Sequence, residues 1–411
     1  MQKRFALFIS APFLLFLLFL GNLQYVRAFP GGTDFLYRWL PTRLVVFEGN
    51  QNPYSPEAEL QVELAHHGHP REKDETPGIF AYPYYTMAVI FPFALISDFN
   101  AARAAWMTLL AASHLALIFL TLRVIQFKPA VLLTTALILF SLLNADFMQA
   151  LIDGNPSSVA ALFAFLALYF MSRKQDGWAG VFLALSTIKP QLVVLFFALV
   201  YLWAFFQKRW TLIFSSALTL AFLFGVSFIL QPNWIFEFIK DLKTYPGVAR
   251  PSTPRAILSY WMPALSAQII ALALMTFSAL ALFYVWRRSL RREFSALLWA
   301  ACITFTLMPL TGITSAKSNY IAMLPGLIFL LQRAKLTRPQ ESLWAGALLV
   351  WIPLSWLFLV AGRALTLGGR LIYFLDFYPM PLVLTAAYLW FTFSQPSPAY
   401  ASPLRKRDGR G

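Results

Sequence analysis

The chain reads as an all-α protein that crosses a membrane many times, on three observations. Its 411 residues are 59% hydrophobic and 12% charged, about half the charge of a soluble domain. Apolar runs recur from one end to the other, many long enough to cross a bilayer. Basic residues gather in the short segments between those runs. In hydrocarbon every backbone polar group needs a partner within its own segment, which favours helices over open sheet. No series of short alternating strands is visible, so a β-barrel is not expected.

The apolar runs lie near residues 5–22, 80–97, 103–122, 129–143, 157–171, 177–188, 191–206, 210–230, 264–286, 295–311, 319–332, 343–361 and 375–393. Some are too short to span alone. Lys189-Pro190 interrupts 177–188 and 191–206, and 129–143 is also brief. Strict alternation of all these runs would put some basic loops on the wrong face. Half-spanning or re-entrant helices resolve that conflict, so the expectation is about 10–13 transmembrane or half-spanning helices.

The net charge of +15 raises nucleic acid as a partner, but the positions of the charges argue against it. Lys3-Arg4, Arg173-Lys174, Lys208-Arg209, Arg287-Arg288 with Arg291-Arg292, Arg333 with Lys335 and Arg338, and Arg405 to Arg410 punctuate the apolar runs. That is an orientation signal rather than a groove for phosphodiesters. It predicts a multi-pass protein of the cell membrane with a cytoplasmic N-terminus. The one cysteine, Cys302, cannot form an intrachain disulfide. Metal is not expected either. Three of the four histidines are packed into His66-His67-Gly68-His69, beside a highly charged loop, without the spacing of a helical ligand pair. No convincing small-x-small cleavage site follows Leu20, so the first helix is expected to stay uncleaved.

Residues 1–393 are expected to form a single integral membrane domain. Within it, residues 23–79, 231–260 and 362–374 are the main stretches outside the apolar runs. The first is rich in Pro, Gly and charge, with short helices expected near 38–47 and 57–66. It shares the outside face with 231–260. The tail 394–411, basic and Pro-containing, reads as a disordered cytoplasmic terminus.

Asp34 heads the candidates for chemistry. It follows the first apolar run in Gly31-Gly32-Thr33-Asp34-Phe35, with Tyr37 and Trp39 beyond it. An ordinary solvated loop acid near a helix start is the alternative, but the aromatic neighbours suit a membrane interface. Partial desolvation there strengthens a carboxylate as a base toward a hydroxyl. Asp146, Asp153 and Asn155 lie in a polar segment between apolar runs. An acid at bilayer depth costs about 3 kcal/mol on insertion scales, so such residues tend to be functional. An outside loop with Asn155 capping the next helix is equally compatible. Lys189 breaks two apolar helices, where it must snorkel or meet an anion. Lys317, in Ala316-Lys317-Ser318-Asn319, has no charged neighbours in sequence, and Arg250 and Arg255 are further cations for a phosphate.

Taken in order, these motifs resemble glycosyltransferase family 87, the polyprenyl-phosphate-mannose-dependent mannosyltransferases of the GT-C superfamily. Asp34-Phe35 with Tyr37 falls where that family has its first-loop acid. Glu48-Gly49 and Asn52-Pro53-Tyr54 are similar to its Gly-x-x-Pro-Tyr element. Phe80-Ala81-Tyr82-Pro83 resembles its Tyr-Pro-Pro motif, with Tyr84 replacing the second proline. Gly154-Asn155-Pro156-Ser157 stands where Gly-Gln-x-Asn is usual. Ala179-Gly180, Leu183-Ala184-Leu185 and Lys189-Pro190 are similar to its Ala-Gly…Lys-Pro segment. From Pro309 to Pro325 the sequence is similar to an element in which many members carry a histidine. Here Lys317, Ser318 and Asn319 occupy that region.

The resemblance implies a GT-C-like bundle with a long first outside loop. It implies inverting transfer of a hexose, mannose in the family, from a polyprenyl-phosphate sugar to a lipid or glycan hydroxyl. Asp34 would be the general base, with Lys189, Lys317, Arg250 and Arg255 as donor-phosphate contacts and Asp146, Asp153, Asn155, Tyr82 and Asn319 as further polar site residues. No cofactor is implied beyond the lipid-linked donor, and the partners are that donor, the acceptor and membrane lipids. No nucleotide-binding signature is present, which fits a lipid donor. A transporter or flippase, a GT-C enzyme with another donor sugar, and a non-catalytic assembly subunit stay open from sequence. The broken helix favours the transporter, and the lack of an internal repeat weighs against it.

Overall fold

The computed structural model describes residues 2–50, 52–72, 75–244, 253–259, 261–313, 316–364 and 379–394. These residues are helical throughout with no strand among them, as the composition predicts. Helix α1 (Gln2–Ala28) meets α2 (Thr33–Phe47) at a bend of 100°. Pro30-Gly31-Gly32 makes that corner, and Gly32 occupies the left-handed region at φ 83°. A side chain at Gly32 would also collide with the Arg103 guanidinium arm, so glycine is needed twice over. Next comes α3 (Pro56–His67), whose start is fixed by Ser55 accepting the Ala58 amide and by Pro56 in the first turn. The sequence expectation of two short helices in this loop holds, with α2 starting five residues earlier than read.

Helix α4 (Met87–Ala94) follows an extended stretch and a 3₁₀ turn at Tyr84–Thr86. Then come α5 (Phe99–Val124), α6 (Val131–Leu143) and α7 (Ala145–Asp153). Asn144 breaks α6 from α7 at 49° and its side chain accepts the Asp146 amide. The polar segment around Asp146, for which the sequence leaves open a buried polar segment or an outside loop, is therefore a helix of its own. Helices α8 (Ser157–Ser172), α9 (Asp176–Leu185), α10 (Pro190–Phe206) and α11 (Trp210–Leu230) complete the first half. The second half holds α12 (Trp234–Thr244), α13 (Pro254–Leu258), α14 (Ala264–Ser289), α15 (Phe294–Leu307), α16 (Leu324–Arg333), α17 (Arg338–Ala364) and α18 (Pro379–Ser394). The expected tail at 394–411 and most of 362–374 lie outside the described residues.

Among the described residues four helices, α5, α11, α14 and most of α17, are long and apolar enough to span a membrane, or up to six if each bent pair is one span. Several shorter apolar helices, among them α8 and α10, lie between them. Half-spanning elements therefore account for much of the excess over regular spans that the sequence suggested. At the centre, α8 packs against α5, α9 and α10. Its Ala160, Ala161, Ala164 and Ala167 are fully buried, and such small residues let membrane helices approach closely. Gly180 serves the same purpose on α9. A Cβ there would meet Leu212 O of α11 at 2.6 Å.

The periphery has the opposite character. On α11 Phe214, Leu218, Phe222 and Ile229 are exposed, and on α14 Leu265, Leu272 and Phe283 are. Water would penalise such faces heavily, and lipid does not. Helices α8, α10 and α16 all begin near one end of the bundle and finish beside Arg173, Lys208 and Arg333. Gln207 and Trp203 both donate to Arg292 O, and Arg209 reaches Met171 O and pairs with Asp176. Three basic loops thus meet at one end. The polar start of α8 lies ~24 Å away, the length of its sixteen residues.

Candidate functional site

At that polar end four distant segments converge on Asp34. The residue lies in the first turn of α2, where the helix dipole favours a carboxylate. Its side chain is 28% exposed, whereas its partners are buried. Arg38, one turn on, donates from Nη1 to Asp34 Oδ1 at 3.0 Å and to the Asp34 carbonyl at 2.6 Å. Asn155 donates from Nδ2 to the other carboxylate oxygen, also at 2.6 Å. Asn155 Oδ1 meanwhile accepts from the Ser157 amide and hydroxyl and from Lys189 Nζ. Capping and site contact are thus one residue's work.

Lys189 is 2% exposed. Its ammonium donates to two neutral acceptors, Asn155 Oδ1 and Ser157 Oγ, each at 2.5 Å. A lysine carries three N–H donors, so one remains beyond these two bonds. The break that carries it is braced from outside. Pro190 brings no N–H to the helix, and Tyr85 Oη and Thr86 Oγ1 donate to the Thr187 and Ile188 carbonyls. Ser157 Oγ and Asn319 Oδ1 lie 2.8 Å apart, linking α8 to the 3₁₀ turn Lys317–Met323. Lys317, Ser318 and Asn319 are all buried on that turn.

Two aromatic contacts and one arginine set the distances. Phe35 stacks on Trp106 at 5.6 Å, and Trp106 donates from Nε1 to Gly154 O at 2.8 Å. Gly154 has φ 75°, and a Cβ on it would sit 2.5 Å from Phe35 Cβ. Only glycine lets the Asn155 turn approach α2 this closely. Arg103, 1% exposed on α5, donates to Phe29 O at 3.0 Å and to Ile152 O at 3.1 Å. It clamps the turn before Asp34 to the turn before Asn155. Asp153 is the acid near this arginine.

The sequence candidates divide cleanly. Asp34, Asn155, Lys189 and Asn319 form one bonded network, with Lys317 on the same turn. Tyr82 joins it from the side, its ring 4.3 Å beneath the Arg38 guanidinium carbon. Asp146 is part-buried on α7, which packs against the 317–323 turn. Arg255 is exposed on α13, which packs against α14, and has no bond to the network among the described residues. Arg250 lies outside the described residues. Of the histidines, His66 bonds Tyr37 Oη at 2.9 Å, while His67 and His69 face Glu75.

Three residues escaped the sequence reading. Arg38 was legible only as the (i, i+4) partner of Asp34, once a helix is started at Thr33. Arg103 lies at the start of an apolar run, with no acidic residue nearby in sequence to mark it beyond Asp98. Asp241 of α12 gave no signal at all. It is 6% exposed and accepts the Ala81 amide at 3.3 Å. Burial, with Glu59 and Glu237 adding to it, pushes its carboxyl up to about 6.

Fold and cluster together define a polytopic helical membrane protein with a cation-rich polar site around one carboxylate. Residues 80–247 match the model of glycosyltransferase family 87, which bears out the resemblance over that stretch. The matched stretch carries Tyr82, Asn155, Lys189 and Asp241. No curated protein and no solved structure matches the chain.

Proposed function

We propose that this protein is a membrane glycosyltransferase that moves a hexose, mannose in our reading, from a polyprenyl-phosphate sugar to an acceptor hydroxyl. Transfer takes place on the extracytoplasmic face with inversion at the anomeric carbon. The observation that carries this is the convergence of Asp34, Asn155 and Lys189 in one network, at the end of the bundle opposite the basic loops.

In the reaction the acceptor oxygen attacks the anomeric carbon and its proton passes to Asp34. The bond from that carbon to the phosphate oxygen breaks, and the electron pair leaves with the polyprenyl phosphate. Arg38 and Asn155 each hold one oxygen of Asp34. Each carboxylate oxygen keeps a second acceptor site for the incoming proton. Lys189, with one N–H to spare, meets the charge that develops on the phosphate, and Lys317 lies on the adjoining turn to add to it. A fixed ammonium in a water-poor site stabilises such charge far better than it would in water.

The test is direct. Purified protein in lipid vesicles is given radiolabelled polyprenyl-phosphate mannose and a membrane lipid extract as acceptor. Label should move to a product of opposite anomeric configuration. Transfer from a nucleotide sugar instead, with the polyprenyl donor left intact, would overturn the proposal.

A further inference from the structure

Ala81 is a strained residue next to the site. Its φ is 50°, a left-handed conformation held by an L-residue other than glycine. Two outside elements pin the backbone there. Asp241 of α12 accepts the Ala81 N–H at 3.3 Å, and Tyr54, just before α3, donates its hydroxyl to Tyr82 O at 2.6 Å. Ala81 and Tyr82 are 6% and 3% exposed, so no water competes freely for these groups. Helix α12 is itself anchored by Trp234, whose ring packs on Tyr85 and Phe224.

The consequence runs inward. With Ala81 held this way, the Tyr82 ring lies under Arg38, and Arg38 holds Asp34 by its side chain and its carbonyl. A guanidinium over an aromatic face is fixed in plane and position by the ring's quadrupole. If the peptide at Ala81 relaxed to negative φ, the ring would swing away and Arg38 would lose the surface beneath it.

We propose that Asp241 is a positioning residue for Asp34, acting by holding Ala81 in the left-handed conformation that seats Tyr82 under Arg38. This rests on the transferase reading above. It assigns to the second outside segment a part in catalysis without contact with substrate.

Glycine adopts positive φ at no steric cost, which makes the coupling measurable. Asp241→Ala should lower kcat roughly tenfold with donor KM changed less than about threefold. The double variant Asp241→Ala with Ala81→Gly should recover at least about a third of the lost kcat, since the tether is no longer needed. Asp241→Asn keeps an oxygen to accept the N–H and should retain about half of wild-type kcat or more. A double variant as slow as Asp241→Ala, or Asp241→Ala at wild-type rate, overturns the proposal. If Asp241→Ala does not fold, Asp241→Asn decides alone, and a tenfold loss there overturns it. If the wild-type chain transfers no sugar, the proposed function fails by itself. The coupling is then read by melting in detergent: Asp241→Ala should destabilise the wild-type background clearly more than the Ala81→Gly background, and equal shifts overturn the proposal.

Discussion

Asn155 donates to Asp34 at 2.6 Å across 121 positions of sequence, and its other side-chain atom holds Lys189. One amide thus stands between the site's carboxylate and its buried ammonium. The arrangement keeps carboxylate and ammonium apart, as the proposed reaction needs, with one serving the acceptor and the other the donor phosphate.

Asn155→Ala removes both contacts at once. The expected result is a fall in kcat of about 10²-fold, the range seen when a preorganised polar contact is lost. The chain should still fold, because Pro156 and the burial of α8 remain. Turnover and melting temperature measured together check this. Asn155→Asp should be at least as damaging, since it sets a second carboxylate against Asp34.

Lys189→Met replaces a buried ammonium whose direct hydrogen bonds go to two neutral oxygens, with Asp34 reached only through Asn155. Burying an uncompensated charge is costly, so the variant should melt at or above the wild-type temperature. Donor use should nevertheless drop at least about tenfold in kcat/KM. A stable variant with poor donor use separates function from structure, and unchanged donor kinetics would return Lys189 to a mere anchor.

Gly154→Ala places a methyl 2.5 Å from Phe35 Cβ at a backbone of φ 75°. Strain and overlap together should destabilise the chain by about 1–3 kcal/mol and push the Asn155 turn off Asp34. Chemical denaturation and turnover should both register the change, with turnover falling more steeply.

Much of this was legible in advance. The apolar runs gave α5, α8, α10, α11 and α14 nearly in full, because lipid demands long uninterrupted apolar stretches whatever the tertiary packing. Asp34, Asn155 and Lys189 stood out because polar residues in such a setting need a reason. What the sequence could not show is that α6 and α7 are two helices, since the break depends on Asn144 capping a turn locally. Arg103 was missed for a related reason. Its partners are two backbone carbonyls, and no side-chain pattern encodes those. Asp241 lies 160 positions from the amide it accepts, a pairing that only the folded chain brings together.

The Asp241 carboxyl is raised from 3.8 to about 6, so the native state binds its proton more tightly than the unfolded chain does. Its contribution to stability is therefore full below about pH 3.8 and is lost as pH rises through about 6. The groups facing it are Glu59 of α3, Tyr54 before that helix, and Glu237 and Lys240 of α12. Wild type minus Asp241→Asn should show this as a stability difference that changes by at most about 3 kcal/mol between pH 4 and 7. Melting curves across that range check the sign.

In the proposed reaction everything turns on the Asp34 carboxylate taking the acceptor's proton. Asp34→Asn keeps the size of the side chain and an acceptor for Arg38, and removes the base. In vesicles supplied with radiolabelled polyprenyl-phosphate mannose and acceptor lipid, transfer should fall by at least about 10³-fold with the melting temperature unchanged within a few degrees. Transfer by Asp34→Asn within a few-fold of wild type would contradict it.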